Sequence, residues 1–344
     1  MRREAQQTGS RQMTATPSLR YYPDKRPGIT RQRCGRGFTY FAQDGTRITD
    51  KAERARLNAL AVPPAYENVW ICPFENGHLQ ATGYDPRGRK QYRYHPAWSA
   101  AQSQTKFAGL ADFGAALPRL RRAILRDLHS EAGAQRFALA AAVAMIDRLS
   151  LRVGNPEYTK TNGSFGTLTL KGQHVRLRDD KLEVSFRAKG GKRVRRQIAD
   201  KTLLRVLGEI RELPGAELLA WLGTDGTPHT LTSAALNDYI AERSGTDGVT
   251  AKTFRTWSGT VAAFKVAMQT DAPRIKDMAE AAAERLNNTP TIARSSYIHP
   301  DVLDLCTTPQ PLPQARSQDG LTQPEQRLLA FLNRDQEGLQ DPVT

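Results

Sequence analysis

Ala293-Arg294-Ser295-Ser296-Tyr297-Ile298-His299-Pro300 is the stretch on which the reading of this 344-residue chain turns. A lone tyrosine in a Ser/Arg segment is ordinarily just a half-buried residue. Here the sequence upstream supplies company: Arg152, a basic hairpin segment containing Lys189, and Lys252-Thr253-Phe254-Arg255. Two arginines, a lysine and a late tyrosine are the parts needed to cut a phosphodiester without a metal. A tyrosine hydroxyl with a reference pKa near 10 is only about a thousandth ionised at neutral pH, so it needs help to attack phosphorus. Guanidinium groups supply it by holding the nonbridging oxygens as charge gathers on them in the transition state. Arg152 and Arg255 suit that role. A lysine presented from a hairpin can protonate the leaving 5′ oxygen. Lys189 suits that one, and Tyr297 reads as the nucleophile.

Composition agrees with a polyanionic partner. Lys+Arg of 50 against Asp+Glu of 35 leaves +15, with a pI near 10.0, which makes nucleic acid the first candidate. No run approaches the roughly 18 apolar residues of a membrane span, and the N-terminus lacks a signal peptide's apolar core. A cytoplasmic, nucleoid-associated protein is expected. Cys34, Cys72 and Cys306 are far apart and form no C-x-x-C pair, so three reduced thiols are expected, with no disulfide framework and no zinc site. The glycine and the Ser/Thr that would flank Lys189 in a Walker A loop are missing, so no nucleotide site is expected there. A covalent phosphotyrosine conserves the energy of the broken bond, so resealing requires no ATP and no cofactor.

The length suits two domains. Residues 1–17, rich in Gln, Thr, Ser and Arg, are expected to be a disordered arm. Residues 18–99 are expected to form a small β-rich domain: aromatic and β-branched runs at Gly37–Phe41, Val69–Pro73 and His78–Gly83 are separated by Asp44-Gly45 and Asn76-Gly77 turns. Up to residue 100 the chain carries 17 Lys+Arg against 8 Asp+Glu, so +9 of the charge sits here. Within it, Arg87, Arg89, Lys90, Tyr92, Arg93 and Tyr94 alternate cations with aromatics. That pattern fits either phosphate contact with stacking, or a solvated strand face.

Residues 100–306 read as a mainly helical domain with a small inserted antiparallel sheet. Helices are expected over Leu117–Leu128, Phe137–Leu149, Thr202–Ile210, Thr232–Arg243, Thr250–Met268 and Arg274–Leu286. Arg152, just past an apolar helix end, either caps that end or reaches into a cleft. Lys252 and Arg255, three residues apart, share one helix face. From Gly166 to Ile198 the period falls to two, predicting strands at Thr167–Leu170, His174–Leu177, Leu182–Phe186 and Val194–Ile198. Lys189 falls at the Gly190-Gly191 turn. The segment Arg187–Arg196 holds six Lys/Arg and no acid, so its tip, with Lys192 and Arg193, is either a cationic finger for DNA or a charged solvent hairpin. Residues 307–344 read as a proline-rich linker and a short helix through Asn333, opened by a possible Thr322-Gln323-Pro324-Glu325 capping box.

With these residues placed, the chain resembles the type IB DNA topoisomerases of the small bacterial and poxvirus kind. The resemblance runs from roughly Leu19 to Leu305. It rests on Val62-Pro63-Pro64-Ala65-Tyr66, Gly77-His78-Leu79-Gln80-Ala81-Thr82-Gly83, Leu151-Arg152-Val153-Gly154, Phe186-Arg187-Ala188-Lys189, Thr250-Ala251-Lys252-Thr253-Phe254-Arg255-Thr256-Trp257 and Ser295-Ser296-Tyr297, in the family's order and spacing. It implies the α+β fold of topoisomerase IB and the tyrosine recombinases, and a monomer whose two domains close as a clamp around supercoiled duplex DNA. Tyr297 would form a 3′-phosphotyrosyl link, Arg152 and Arg255 would bind the scissile phosphate, and Lys189 would be the general acid, assisted by Lys252. The family's histidine nine residues before the tyrosine is Asn288 here, which can donate a neutral hydrogen bond but adds no charge.

Two other readings compete. A tyrosine recombinase shares fold and chemistry, but usually carries His where this chain has Lys252, and has a helical N-terminal domain. A non-catalytic architectural DNA-binding protein would use the charge alone and leave the ordered Arg, Lys, Lys, Arg, Tyr series to chance.

Overall fold

The computed structural model describes residues 18–314 and 317–337. The expected arm over 1–17 lies outside the described residues. The chain divides into two compact units after Lys106.

In the first unit, β1 (Ile29–Cys34), β2 (Gly37–Phe41), α1 (Lys51–Ala59), β3 (Glu67–Ile71), β4 (Leu79–Tyr84) and β5 (Lys90–Tyr94) build one antiparallel sheet with strand order β2-β1-β3-β4-β5. The Asp44-Gly45 turn leads not to another strand of this sheet but to an isolated bridge between Phe41 and Arg47. Then comes α1, whose Asp50 cap accepts from the Glu53 N–H. Leu57 of α1 packs on Ile29, Tyr40, Val69, Ile71 and Ala81, all buried. β5, the edge strand next to β4, keeps both faces open: on one, Tyr92 and Tyr94 are 53% and 44% exposed, and on the other Arg93 is exposed.

The second unit is helical. The helix α2 (Pro96–Ala108) leads across the division into α3 (Leu110–Asp127), α4 (Gln135–Leu149) and the short α5 (Pro156–Asn162). Eleven of the fifteen residues of α4 are buried, as the Ala-rich run implies for a helix packed on all sides. The inserted sheet is β6 (Val175–Leu177), β7 (Leu182–Arg187) and β8 (Arg193–Ile198), ordered β6-β7-β8. Along β7, Leu182, Val184 and Phe186 face the core and Arg187 faces solvent. At the tip Gly190 and Gly191 take φ of +79° and +77°, a region open to glycine at little cost.

The strand expected over Thr167–Leu170 does not form. Thr167–Thr169 is a 3-10 turn. Its amides pair with a loop: Thr167 N–H donates to Arg152 O at 2.8 Å and Leu168 N–H to Val153 O at 2.7 Å. All three residues are buried, so the alternation of polar and apolar residues does not reflect two sheet faces.

After α6 (Lys201–Arg211), a small hairpin of β9 (Ala220–Leu222) and β10 (Pro228–Thr230) precedes α7 (Ser233–Ser244), α8 (Ala251–Ala267), α9 (Ile275–Leu286), α10 (Pro290–Tyr297), α11 (Pro300–Asp304) and α12 (Gln323–Glu337). The tail helix α12 is part of the core: Leu328 and Phe331 are fully buried. Glu325 accepts from the Thr322 N–H at 2.8 Å, from Trp257 Nε1 at 3.1 Å and from Arg121 at 2.9 and 3.0 Å. Arg121 also grips Asp147 of α4 at 2.8 Å, so one buried ion network ties α3, α4, α8 and α12. Cys34, Cys72 and Cys306 are free. Among the described residues no helix is long and apolar enough to cross a membrane.

Candidate active site

The site of the second unit is built where three chain segments end. The helix α4 stops at Ser150, which takes a left-handed conformation (φ 53°), and the chain turns through Leu151 into Arg152. The carbonyl of Arg152 accepts both the N–H and, at 3.1 Å, the hydroxyl of Thr167. The next turn closes on Gly154 and Gly166, which approach so closely that a Cβ on Gly166 would lie 2.5 Å from the Gly154 Cα. The unexpected 3-10 turn is therefore what fixes the backbone of Arg152.

Arg255 comes from the second turn of α8 and is 4% exposed. One Nη donates to Ser150 O and the other to Leu286 O at 3.0 Å, so its planar fork bridges the ends of α4 and α9. Its Cζ stands 5.3 Å from the centroid of the Tyr297 ring, within cation–π range. Burial, and then the charge of Arg152, push the Arg255 guanidinium down to about 10, which leaves it protonated at neutral pH. Among the described residues none of Arg152, Lys189, Lys192, Lys252 or Arg255 is ion-paired with a carboxylate. A buried cation without a counterion is costly; an anion arriving at this point would offset that cost.

Tyr297 is the last residue of α10, half-buried. Its backbone is held by Thr260 of α8, whose hydroxyl accepts from the His299 N–H at 3.1 Å and shares its one proton between Thr256 O at 2.9 Å and Tyr297 O at 3.2 Å. Gly259 beside it lets α10 lie directly against α8. Asn288 sits in the α9–α10 connection, after Asn287 has ended α9 in the left-handed region (φ 48°). The Asn288 Oδ1 accepts from the Thr289 N–H at 3.1 Å, leaving Nδ2 buried and without a partner among the described residues. The same holds for Arg255 Nε, Asn287 Nδ2 and Ser150 Oγ. Ser150, Arg152, Arg196, Arg255 and Asn287 line one small cleft.

The structure thus brings Arg152, Arg255 and Tyr297 together. Lys189 and Lys252 are exposed, at the hairpin tip and in the first turn of α8 respectively, and neither ammonium has a partner among the described residues. Lys192 donates to the backbone carbonyl of Asn288 at 3.1 Å and Arg193 to Ser185 Oγ at 3.2 Å. Thr260, Gly259 and Ser150 were not singled out from the sequence. Thr260 lies in a run of small and apolar residues that reads simply as buried helix, and Ser150 acts through its carbonyl, which any residue carries.

In the first unit the cations of β5 and its turn divide. Arg89 pairs with Asp85 at 2.6 Å and Lys90 with Asp24 at 2.5 Å, while Arg87 and Arg93 are exposed and make no ion pair among the described residues. Hydrogen bonds from the Arg89 side chain and from the Arg89 and Arg87 N–H groups, with a smaller share from the Arg89 charge, hold the Asp85 carboxyl at about 2. Tyr92 and Tyr94 stack at 6.2 Å. The aromatic surface extends further than its sequence pattern: His78 touches Tyr94, and the 66%-exposed Tyr21 stacks on His78 at 4.2 Å.

Two family models match. One, described as the catalytic core of eukaryotic DNA topoisomerase I, covers residues 95–303, more than half the chain. The other, the N-terminal domain of bacterial DNA topoisomerase IB, covers residues 37–85. The chain is 28% identical over 293 residues to the DNA topoisomerase 1B of Acanthamoeba polyphaga mimivirus, covering 81% of this chain and 87% of that protein. Among solved structures it is similar to the XerH site-specific recombinase bound to palindromic difH substrate in a post-cleavage complex. That match has a TM-score of 0.39 and 19% identity, over 55% of this chain and 49% of that one. The pre-cleavage complex gives 0.37 and 18%, over 57% and 52%.

Proposed function

Since the chain belongs to the type IB DNA topoisomerase family, we propose that Tyr297 is its nucleophile and that Arg152, Lys189, Lys252, Arg255 and Asn288 assemble around the phosphodiester it attacks. The protein is a DNA isomerase: it nicks one strand of duplex DNA, lets supercoils relax and religates. In the proposed step the Tyr297 Oη bonds to phosphorus, its proton passing to solvent, while the bond from phosphorus to the 5′ oxygen breaks. Lys189, assisted by Lys252, gives that oxygen its proton, a contribution of about 10² to 10⁴ in rate. The result is a 3′-phosphotyrosyl link and a free 5′ hydroxyl, and the reverse step reseals the strand. Arg152 and Arg255 hold the nonbridging oxygens, and Asn288 donates to one of them.

One observation carries this reading. Arg255 is buried, charged and unmatched by any carboxylate among the described residues, and its guanidinium lies over the Tyr297 ring. A phosphate is the group that would complete it. In the first unit, the stacked Tyr92 and Tyr94 with Arg87 and Arg93 suit the backbone and sugars of the duplex. The enzyme acts as a monomer, prefers supercoiled substrate and works at the nucleoid.

The test is relaxation of supercoiled plasmid in EDTA without ATP, followed by a denaturing stop to trap protein-linked DNA. A ladder of topoisomers and a 3′-linked adduct are expected, with Tyr297→Phe still binding DNA and giving neither. Relaxation by Tyr297→Phe would overturn the assignment of the nucleophile.

A further inference from the structure

The hairpin of β7 and β8 is tied to the end of α9 at two points. At its base, Arg196 Nη2 donates to the carbonyls of Glu284 and Arg285, both at 2.9 Å. Nearer the tip, Lys192 Nζ donates to the carbonyl of Asn288 at 3.1 Å. Cations on the free carbonyls at a helix C-terminus are favourable by both hydrogen bonding and the helix dipole.

The second tie sits at a mechanically sensitive place. Beyond Lys192 the chain has only Gly191 and Gly190, both at positive φ, before it reaches Lys189. Ala188 N–H donates to Lys192 O at 2.7 Å, and the turn beyond closes through Gly191 N–H to Ala188 O at 3.0 Å. Fixing Lys192 therefore fixes Ala188, the residue before Lys189. On the other side, Asn288 precedes Thr289, whose side chain caps α10 by accepting from the Ile292 N–H, and α10 ends at Tyr297. The Lys192–Asn288 hydrogen bond thus links the lysine's hairpin to the helix of the tyrosine.

We propose that Lys192 is a positioning residue, which by holding the Asn288 carbonyl sets the hairpin tip so that Lys189 reaches the leaving 5′ oxygen at the bond Tyr297 attacks. This rests on the assignment of Lys189 as general acid. Lys192 makes no bond to the reacting atoms; it lowers the cost of bringing the acid into place.

The experiment is single-turnover cleavage of a suicide duplex by Lys192→Met, Lys192→Arg, Lys189→Ala and the double variant Lys189→Ala/Lys192→Met. Each is assayed on a normal scissile phosphate and on one with a 5′-bridging sulfur, which leaves without protonation. Lys192→Met should cleave the oxygen substrate about 10- to 100-fold more slowly and the sulfur substrate at close to the parent rate, with DNA affinity kept. Lys192→Arg should recover most of the loss. The double variant should be no slower than Lys189→Ala, because two changes to one function are not additive. Unchanged cleavage by Lys192→Met overturns the proposal. So does a loss that sulfur does not rescue, or one seen as weaker binding with a salt slope reduced by about 1, the sign of a plain phosphate contact. Lys189→Ala separates the two levels: if sulfur fails to rescue it, the acid assignment falls, and this proposal with it. If sulfur rescues Lys189→Ala but not Lys192→Met, this proposal alone falls.

Discussion

Gly259 leaves no room for a side chain beneath Tyr297: a Cβ there would lie 2.6 Å from the Tyr297 carbonyl oxygen and 3.0 Å from the Tyr297 Cβ. The first contact is closer than packed atoms tolerate and the second is tight, and Leu286 closes the far side at 2.9 Å. By propensity alone, Gly to Ala inside a helix should stabilise by about 1 kcal/mol. Here Gly259→Ala should instead push α10 off α8 and strain the Thr260 bond to the Tyr297 carbonyl. We expect single-turnover cleavage to fall by about 10- to 100-fold with DNA affinity unchanged. Normal cleavage would show that the nucleophile tolerates a shifted helix.

Arg255→Lys tests geometry at constant charge. The guanidinium reaches the Ser150 and Leu286 carbonyls at once, leaving Nε for a further acceptor; an ammonium on a flexible stem cannot reproduce that fork. Cleavage should drop by about 10² to 10³, the usual cost of losing a transition-state donor, while filter binding of the duplex stays near the parent value. A parent-like cleavage rate would mean that only the charge matters.

How much of this site was legible in the sequence depends on the kind of constraint. Tyr297, Arg152, Lys189 and Arg255 stood out because their chemistry is rare at that order and spacing, and the inserted hairpin because Gly190-Gly191 and the alternation of β7 mark it. The longer helices from α3 on were legible through spacing, although α3 begins at Leu110 and α4 at Gln135, seven and two residues before the expected starts; α1, α2, α5, α11 and the tyrosine's own α10 were not expected. Thr167–Leu170 misled because alternation signals a strand only when one face is wet, and all of Thr167–Thr169 is buried against the Arg152 loop. Thr260 and Ser150 were invisible because their roles lie in where a hydroxyl or a carbonyl is placed, which only the packing of α4, α8 and α10 determines. The tail's Glu325 was visible as a cap, but its partner Arg121 lies 204 residues away.

Asn288 stands where the family's histidine is expected, and its amide is oriented by the Thr289 N–H so that the Nδ2 end is free. If that NH2 serves a nonbridging oxygen, Asn288→Ala should lose about 1 kcal/mol, about 5-fold in cleavage. Asn288→His, adding charge, should equal or exceed the parent. Asn288→Asp, the same shape with a negative charge, should lose about 10² or more, since like charges then face each other. An aspartate variant as active as the parent would place this side chain away from the phosphate. Single-turnover cleavage at neutral pH reads all three.

The ion network under α8 predicts an acid-sensitive fold. Burial alone would raise the Glu325 carboxyl, but the hydrogen bonds and charge of Arg121, with the Thr322 and Trp257 N–H groups, outweigh it and hold the group at about 2, below its usual 4.5. A depressed carboxyl stabilises the fold fully above its unfolded pKa, and the contribution fades as pH falls from about 4.5 toward 2. Glu325→Gln removes the charge at every pH and leaves Arg121 with Asp147 as its one carboxylate partner among the described residues. At pH 7 it should cost on the order of 3 kcal/mol, a fall in melting temperature of about 6 to 12 °C for a unit of this size. The gap between parent and variant should then narrow as pH drops below about 4.5 and close only below about 2, where the folded parent's carboxyl takes up its proton. A gap that stays constant across that window would mean that the variant loses packing rather than a charge, and that the hold of α12 on Trp257 is steric.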